Sequence, residues 1–231
     1  MNTPLVLIPG LLCDEYMWSP QAEALSAARD VFILDLSEHE SIPAMARAAL
    51  HEAPARFALA GHSFGGRIAM EICAQAPGRI THLALLDTAA HPTAPHEYEA
   101  RRALVTLARE HGMRALVEPW LMPMLHESRR REDALVRPLI AMLERSTPER
   151  FSRQQEALLA RPDARPGLAT IACPTLVACG REDAWSPVAQ HEDMAAVIPG
   201  ATLAVIEVCG HMSTVERPAE ITALLHKLLL R

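Results

Sequence analysis

The stretch Leu59–Gly66, which reads Leu-Ala-Gly-His-Ser-Phe-Gly-Gly, decides the fold of this chain. It begins in an apolar run that predicts a buried strand, and the residues after Ser63 predict a helix. Gly61 and Gly65 flank the serine in the pattern Gly-x-Ser-x-Gly. A turn this tight strains the backbone of the serine, and a Cβ at either glycine position would clash with neighbouring backbone. The pattern therefore predicts a serine hydroxyl at the N-terminus of a helix, where the helix dipole favours developing negative charge.

The flanking sequence distinguishes this turn from an ordinary glycine-rich turn with a helix-capping serine, which the five residues alone would also fit. Apolar runs alternate with helical patterns through the first 90 residues. Strands are predicted at 5–8, 31–34, 57–60 and 80–86, and helices at 16–28, 43–51 and 63–75. Strands that alternate with helices predict a parallel sheet with right-handed crossovers.

The alternation stops over residues 91–165. Helices are predicted there at 96–110, 112–121, 131–145 and 148–160, with no candidate strand among them. Strand–helix order then resumes, with strands at 175–179 and 202–205 and helices at 188–197 and 218–230. We interpret the chain as one α/β domain over 1–231. It has a mostly parallel sheet of about six strands flanked by helices, and a helical cap inserted at 91–165.

Composition excludes several classes of function. The 231 residues are 50% apolar and 22% charged, which suits a single globular domain. The net charge is −6 and the one basic run, Arg129–Arg131, is short, so a nucleic acid is not expected as a partner. No apolar run reaches the length of a membrane span, and the N-terminus leads directly into a strand, so we expect neither membrane insertion nor a signal peptide. Five cysteines, an odd number, predict reduced thiols and a cytoplasmic protein.

Two residues that follow later strands supply the partners that a nucleophilic serine needs. Serine is a poor nucleophile at its free pKa, so a base must take its proton and a carboxylate must orient that base. Asp183 follows the fifth predicted strand, and His211 lies between the last strand and the final helix. We expect Ser63, His211 and Asp183 to act together. Asp87 is the second candidate for the acid and Glu182 the third.

A tetrahedral intermediate also needs hydrogen-bond donors for its oxyanion. The turn supplies the backbone N–H of Phe64, and the loop Pro9–Leu12, after the first strand, is placed to supply a second donor. Gly10 would allow the turn that aims the N–H of Leu11 inward. Because both donors belong to the main chain, substitution of a side chain cannot remove them.

The remaining candidates predict pocket walls and structural roles. We expect His62 to point away from the pocket, and His191 and His226 to lie on solvated helix faces. No Cys/His cluster has metal-ligand spacing, and the glycine pattern lacks the Lys-Ser/Thr pair of a phosphate loop, so neither a metal nor a cofactor is expected. Four apolar side chains are expected to line a substrate pocket: Leu12, Trp120, Met124 and Met212.

Four motifs together resemble the α/β-hydrolase superfamily, and specifically its small cap-bearing esterase-like branch, over nearly the whole chain. They are Pro9–Leu11, Gly61–Gly66, Gly180–Asp183 and Gly210–His211. The resemblance implies a Ser63–Asp183–His211 triad, an oxyanion hole made by Leu11 and Phe64, and a helical lid over 91–165. The first strand here corresponds to the third of the full fold, which predicts six parallel strands.

Two departures from that family pattern bear on the site. The family often has His-Gly in the first loop, where this chain has Pro9-Gly10, so the second oxyanion donor is less strictly specified. The family's Asp-x-x-Gly-x-Gly loop after the second strand is replaced by Asp35–His39, which contains no glycine.

The serine at the turn selects among the activities of that superfamily. Epoxide hydrolases and haloalkane dehalogenases carry aspartate at the position of Ser63, so the resemblance implies hydrolysis of a small or medium carboxylic ester or thioester. Lactone opening, carbon–carbon bond hydrolysis and a cofactor-free haloperoxidase-like or perhydrolase activity use the same residues. A slow-turnover ligand-sensing protein is the alternative from another class. The expected partner is a small-molecule substrate, and the oligomeric state stays open.

Overall fold

The computed structural model describes residues 2–231 and contains one six-stranded sheet. All neighbouring strands run parallel, in the order β2-β1-β3-β4-β5-β6. The strands are β1 (Leu5–Ile8), β2 (Val31–Ile33), β3 (Phe57–His62), β4 (Ile80–Leu86), β5 (Thr175–Gly180) and β6 (Thr202–Ile206). Every residue of β1, β3 and β5 is buried, as expected of strands covered on both faces. The six predicted strands and the α/β fold class are confirmed.

Helices cover both faces of this sheet. They are α1 (Ser19–Ser26), α2 (Ile42–Glu52), α3 (Phe64–Gln75), α4 (Glu97–His111), α5 (Asp133–Glu144), α6 (Pro148–Leu159), α7 (Arg165–Leu168), α8 (Val188–Val197), α9 (Ser213–Glu216) and α10 (Pro218–Leu228). The strand order reverses direction after β1, so right-handed crossovers place α1 on one face and α2, α3 and α8 on the other. Helix α10 packs against α1.

The reversal of strand order also positions the candidate site. The chain leaves β1 toward β2 on one side and returns to β3 on the other, which opens a crevice at the carboxyl ends of β1 and β3. Ligands bind at such switch points in open α/β sheets. The loop that contains Leu11 follows β1, and Ser63 follows β3.

The segment between β4 and β5 is helical, but one predicted helix in it is wrong. Each end of α4, α5 and α6 lies within two residues of its predicted position, and the start of α6 coincides with it. Residues 112–121 do not form a single helix. They form a 3-10 turn (Met113–Leu116) and a π turn (Val117–Leu121), and a further 3-10 turn follows. Pro119 and Pro123 lack the N–H groups that a continuous helix would use there, which explains the breaks.

Three further observations concern the chain as a whole. Between residues 2 and 231 there is no helix that is both long enough and apolar enough to cross a membrane. All five cysteines carry free thiols, as predicted. Three of them, Cys73, Cys179 and Cys209, are buried.

Candidate active site

The turn after β3 has the strained geometry that its sequence predicts. Ser63 has φ 53° and ψ −114°, a conformation that residues with a side chain rarely adopt. A Cβ at Gly61 would lie 2.3 Å from the carbonyl oxygen of Gly65, and a Cβ at Gly65 would lie 2.2 Å from that of Ile8. Glycine is therefore required at both positions, because the backbone of β1 and of α3 passes directly against them.

Ser63, His211 and Asp183 form one hydrogen-bonded chain. The Oγ of Ser63 lies 2.8 Å from Nε2 of His211, and Nδ1 of His211 lies 2.8 Å from Oδ2 of Asp183. A carboxylate only accepts, so Nδ1 donates to Asp183 and Nε2 is left to accept the serine proton. The other carboxylate oxygen accepts from the backbone N–H groups of Trp185 at 2.8 Å and Ser186 at 2.9 Å, which fixes its orientation.

The two competing acids have other partners. Oδ1 of Asp87 accepts from the N–H of Gly180 at 3.1 Å, and Oδ2 accepts from the hydroxyl of Ser213. Burial raises the pKa of Asp87 well above its usual value, and the nearby Asp183 charge acts in the same direction. Glu182 accepts from the N–H of Cys209 at 3.0 Å. Neither carboxylate is hydrogen-bonded to the ring of His211.

The environment of His211 and Asp183 favours their charged forms. Burial by itself acts to lower the pKa of His211, but the charge and hydrogen bond of Asp183 outweigh it, so that pKa is raised above 6.5. Burial acts to raise the pKa of Asp183, and His211 together with two backbone N–H groups reverses this, so that pKa lies below 3.8. The pair is therefore suited to hold a positive charge on the imidazole once it takes a proton.

Two backbone N–H groups beside Ser63 are free to donate. Among residues 2–231 neither Leu11 nor Phe64 has a hydrogen-bond acceptor for its N–H, and both residues line the same cavity as Ser63. The prediction that Gly10 provides the turn of this loop is wrong, because the residue in the left-handed conformation is Leu12, with φ 60°. Gly10 is instead needed for space, because a Cβ there would lie 2.8 Å from Nδ1 of His62.

A side chain of the helical segment holds this loop, which the sequence did not predict. The buried Gln154 of α6 accepts from the N–H of Leu12 through its Oε1 at 3.0 Å. The contact joins residues that are 142 positions apart, so no local pattern could have indicated it. It explains how a non-glycine residue is kept in the left-handed conformation next to the candidate oxyanion donors.

A cavity of about 450 Å³ opens above Ser63, within the range typical of small-molecule sites. Three of the four predicted pocket residues, Trp120, Met124 and Met212, line it. Leu12 does not, because it is buried beside Gln154 and the neighbouring Leu11 takes its place.

The cavity wall is more aromatic and more polar than the sequence predicted. Trp185 and Trp120 pack edge to face with ring centroids 6.4 Å apart, and Trp185 also lies 6.5 Å from the ring of His211. Of the leucines of the helical segment, Leu104 and Leu158 line the cavity, whereas these others are buried and do not line it: Leu116, Leu121, Leu125, Leu135, Leu139 and Leu143. Charged and polar residues join the wall near α4, and sequence reasoning missed them: Arg67, His91, His96, Glu97 and Arg101.

The remaining histidines differ partly from expectation. His62 does not point away but borders the cavity, and its Nε2 donates to the carbonyl of His211 at 2.8 Å. Burial and the nearby His211 lower the pKa of His62 to about 3, so its ring is neutral. His191 is buried, not solvated, and its Nε2 accepts from the N–H of Thr88 at 3.0 Å. His226 is exposed, as predicted.

No group of three or more His, Cys, Asp or Glu side chains in the described part of the chain could hold a metal ion. The reactive groups that the structure brings together are the serine, the imidazole, the carboxylate and the two free backbone N–H groups.

Comparison with known proteins identifies the family of this chain. A family model described as the alpha/beta hydrolase family matches residues 5–224. The pimeloyl-[acyl-carrier protein] methyl ester esterase of Aliivibrio salmonicida (strain LFI1238) is 26% identical over 99% of this chain and 92% of its own length.

Two solved structures are similar over nearly the whole chain. A thermophilic esterase from Thermogutta terrifontis superimposes with a TM-score of 0.89 and 28% identity, covering 99% of this chain and 90% of its own. The enol-lactonase from Burkholderia xenovorans LB400 gives a TM-score of 0.90 and 27% identity, covering 100% of this chain and 92% of its own.

Proposed function

Because the chain belongs to the alpha/beta hydrolase family and is an ester or lactone hydrolase, we propose that it cleaves small or medium carboxylic esters through an acyl-enzyme on Ser63. The observation that carries the proposal is the unbroken hydrogen-bonded chain from Ser63 through His211 to Asp183, with 2.8 Å at each step.

The first half of the proposed reaction forms the acyl-enzyme. As the Oγ of Ser63 attacks the ester carbonyl carbon, its proton passes to Nε2 of His211 and the carbonyl oxygen becomes an oxyanion. The N–H groups of Leu11 and Phe64 donate to that oxyanion. When the tetrahedral intermediate collapses, the carbon–oxygen bond to the alcohol breaks, and the alcohol leaves with the proton from His211.

The second half regenerates the serine. A water molecule attacks the acyl carbon while His211 takes one of its protons, and collapse of this intermediate returns that proton to Ser63 as the carboxylic acid leaves. Asp183 stays ionised throughout and stabilises the imidazolium, in agreement with its lowered pKa.

The same proposal takes residues 91–165 as a cap that forms the substrate walls. Leu104, Trp120, Met124 and Leu158 come from this segment and border the cavity above Ser63. The backbone carbonyl of Met124 also accepts from the N–H of His211 at 2.7 Å, which ties the segment to the site. These apolar side chains suit a small or medium acyl group. A lactone is the second candidate substrate, on the likeness to the enol-lactonase structure.

A substrate panel tests the proposal. We expect multiple turnovers on p-nitrophenyl and methyl esters of short and medium acids, with lactones as the second substrate series. The Ser63→Ala variant should lose activity on all of these substrates. Slow release of product that stops after a single turnover would favour the ligand-sensing alternative. Equal turnover by Ser63→Ala would show that the serine is not the nucleophile.

A further inference from the structure

One wall of the cavity carries an arginine that the proposed reaction does not use. Arg67 lies in the first turns of α3, four residues after Ser63, and lines the cavity. Residues four apart on a helix lie on the same face, so Arg67 sits one turn beyond the nucleophile. Its Nη1 donates to the backbone carbonyl of His91 at 2.9 Å.

The other edge of this guanidinium has no partner. Within residues 2–231, neither Nε nor Nη2 of Arg67 has a hydrogen-bond acceptor, and no carboxylate oxygen lies within 4.0 Å of it. Neither of these two nitrogens is among the fully buried polar atoms that lack a partner, so both are accessible to a ligand. The Nε–Nη2 edge is the one that binds both oxygens of a carboxylate. In this chain Arg165 uses the same edge to hold Asp163, at 2.8 and 2.7 Å.

The neighbouring charges do not neutralise Arg67. Arg101 donates from Nε and Nη2 to Glu97 at 3.1 and 2.9 Å, and the buried Arg161 also pairs with Glu97. Both oxygens of Glu97 are therefore engaged by two other guanidinium groups, and Arg67 is left without a carboxylate partner. The lining residue His91 adds no negative charge, and burial lowers its pKa.

The surroundings of Arg67 make this positive charge costly in the empty cavity. Burial lowers the pKa of Arg67 to about 9, and the nearby Arg161 acts in the same direction. The group is still cationic at neutral pH, because that value lies well above 7. A partly buried cation without a counter-ion gains the most from an anionic ligand.

We propose that Arg67 is a specificity-determining residue, and that the preferred substrates carry a carboxylate at the end of the molecule remote from the scissile ester. This inference rests on the proposed function of Ser63. The Nε–Nη2 edge of Arg67 binds the remote carboxylate in a bidentate manner, while the part of the substrate between its two ends lies against the apolar wall.

Matched pairs of methyl esters test this directly. The charged members are monomethyl succinate, adipate and suberate, and the neutral members of equal chain length are methyl butyrate, hexanoate and octanoate. Hydrogen bonds to charged groups predict that kcat/KM for the charged member exceeds that for the neutral one by roughly 10- to 100-fold in at least one pair. A neutral preference at every chain length would overturn the proposal.

Variants at Arg67 sharpen the test. In Arg67→Gln we expect the charged-to-neutral ratio of kcat/KM to fall by that same factor. Arg67→Lys keeps the positive charge but loses the paired N–H donors of the guanidinium, so its charged-to-neutral ratio should be intermediate. Arg102→Gln is the matched control, since Arg102 is exposed on α4 and does not line this cavity. An unchanged ratio in Arg67→Gln would contradict the proposal. It would indicate that the Nε–Nη2 edge faces the second cavity that Arg67 borders, which has a volume of about 130 Å³.

A binding measurement separates this inference from the proposed function. Adipate should bind to the Ser63→Ala variant, as measured by calorimetry. The additional change Arg67→Gln should raise the dissociation constant of adipate roughly 10- to 100-fold. If no ester is hydrolysed but adipate binding depends on Arg67, the reaction is wrong and the anion site stands. If esters are hydrolysed through Ser63 with no dependence on Arg67 in either assay, the anion site is wrong and the reaction stands.

Discussion

The carboxyl edge of the sheet and the helical segment 91–165 contribute to the same cavity in different ways. At the sheet edge, Ser63, Asp183 and His211 each follow a strand or its loop and are held by backbone contacts, as the strained φ of Ser63 illustrates. The helical segment contributes walls from irregular turns and helix faces, such as Trp120 in a π turn. In the proposed function, the backbone geometry of the sheet edge therefore sets the type of reaction, whereas side chains of the helical segment select the substrate.

The largest effect is expected at the serine and its base. Ser63→Ala and His211→Ala should each lower kcat by up to roughly 10⁶-fold, because neither group can act without the other. The double variant should be little worse than either single one, which steady-state kinetics on a p-nitrophenyl ester would measure. Losses that add up in the double variant would contradict a shared mechanism.

The acid should matter somewhat less, and only at one of two positions. Asp183→Asn should cost about 10⁴-fold in kcat, since the imidazole loses its orientation and its stabilising charge. Asp87→Asn should cost far less, because Asp87 is hydrogen-bonded to Gly180 and Ser213 and not to the ring of His211. The two purified variants can be compared in the same assay. The reverse ranking would assign the acid to the loop after β4.

The pH dependence follows from the raised pKa of His211. The base works only as a neutral imidazole, so kcat/KM should rise with pH and its midpoint should lie above the ordinary value of 6.5. Asp183 contributes most to raising this pKa, ahead of Asp87 and Glu216, so Asp183→Asn should move the midpoint to lower pH while lowering the plateau. Profiles measured from acid to neutral pH check both. An unchanged midpoint in Asp183→Asn would mean that a group other than His211 controls the rise of kcat/KM with pH.

The smallest effects belong to the helical segment. Each methylene buried against its apolar wall contributes up to about 0.8 kcal/mol, which is roughly fourfold in kcat/KM per carbon. Activity should rise and then fall across acetate, butyrate, hexanoate and octanoate esters. Trp120→Ala or Met124→Ala should move the maximum to longer chains. A profile that neither substitution moves would place the acyl group elsewhere.

The same two regions differ in how far their sequences predict them. Short motifs fix the sheet edge, because glycine at positions 61 and 65 is demanded by contacts under 2.5 Å from a Cβ to backbone oxygen. The six strands and the juxtaposition of Ser63, His211 and Asp183 could therefore be predicted. The helical segment could be predicted only as helical, since Pro119 and Pro123 break a pattern that otherwise favours a helix.

Features that depend on distant partners could not be predicted. The helical spacing from Ser63 places Arg67 on the cavity side, but its lack of a counter-ion depends on how Glu97 pairs with two other arginines. The contact of Gln154 with the loop after β1 is equally non-local. The burial of His191 did leave a local signal, since Met194 follows three residues later on the same helix face and is also buried.

Active-site labelling tests the central claim most directly. A fluorophosphonate reacts with a serine only where a base activates it and the site stabilises the resulting adduct. After treatment of the wild-type protein, peptide mass spectrometry should find the phosphonyl group on Ser63 alone, and Ser63→Ala should remain unlabelled. Labelling of another serine, or none in a protein that hydrolyses esters, would contradict the assignment of Ser63 as the nucleophile.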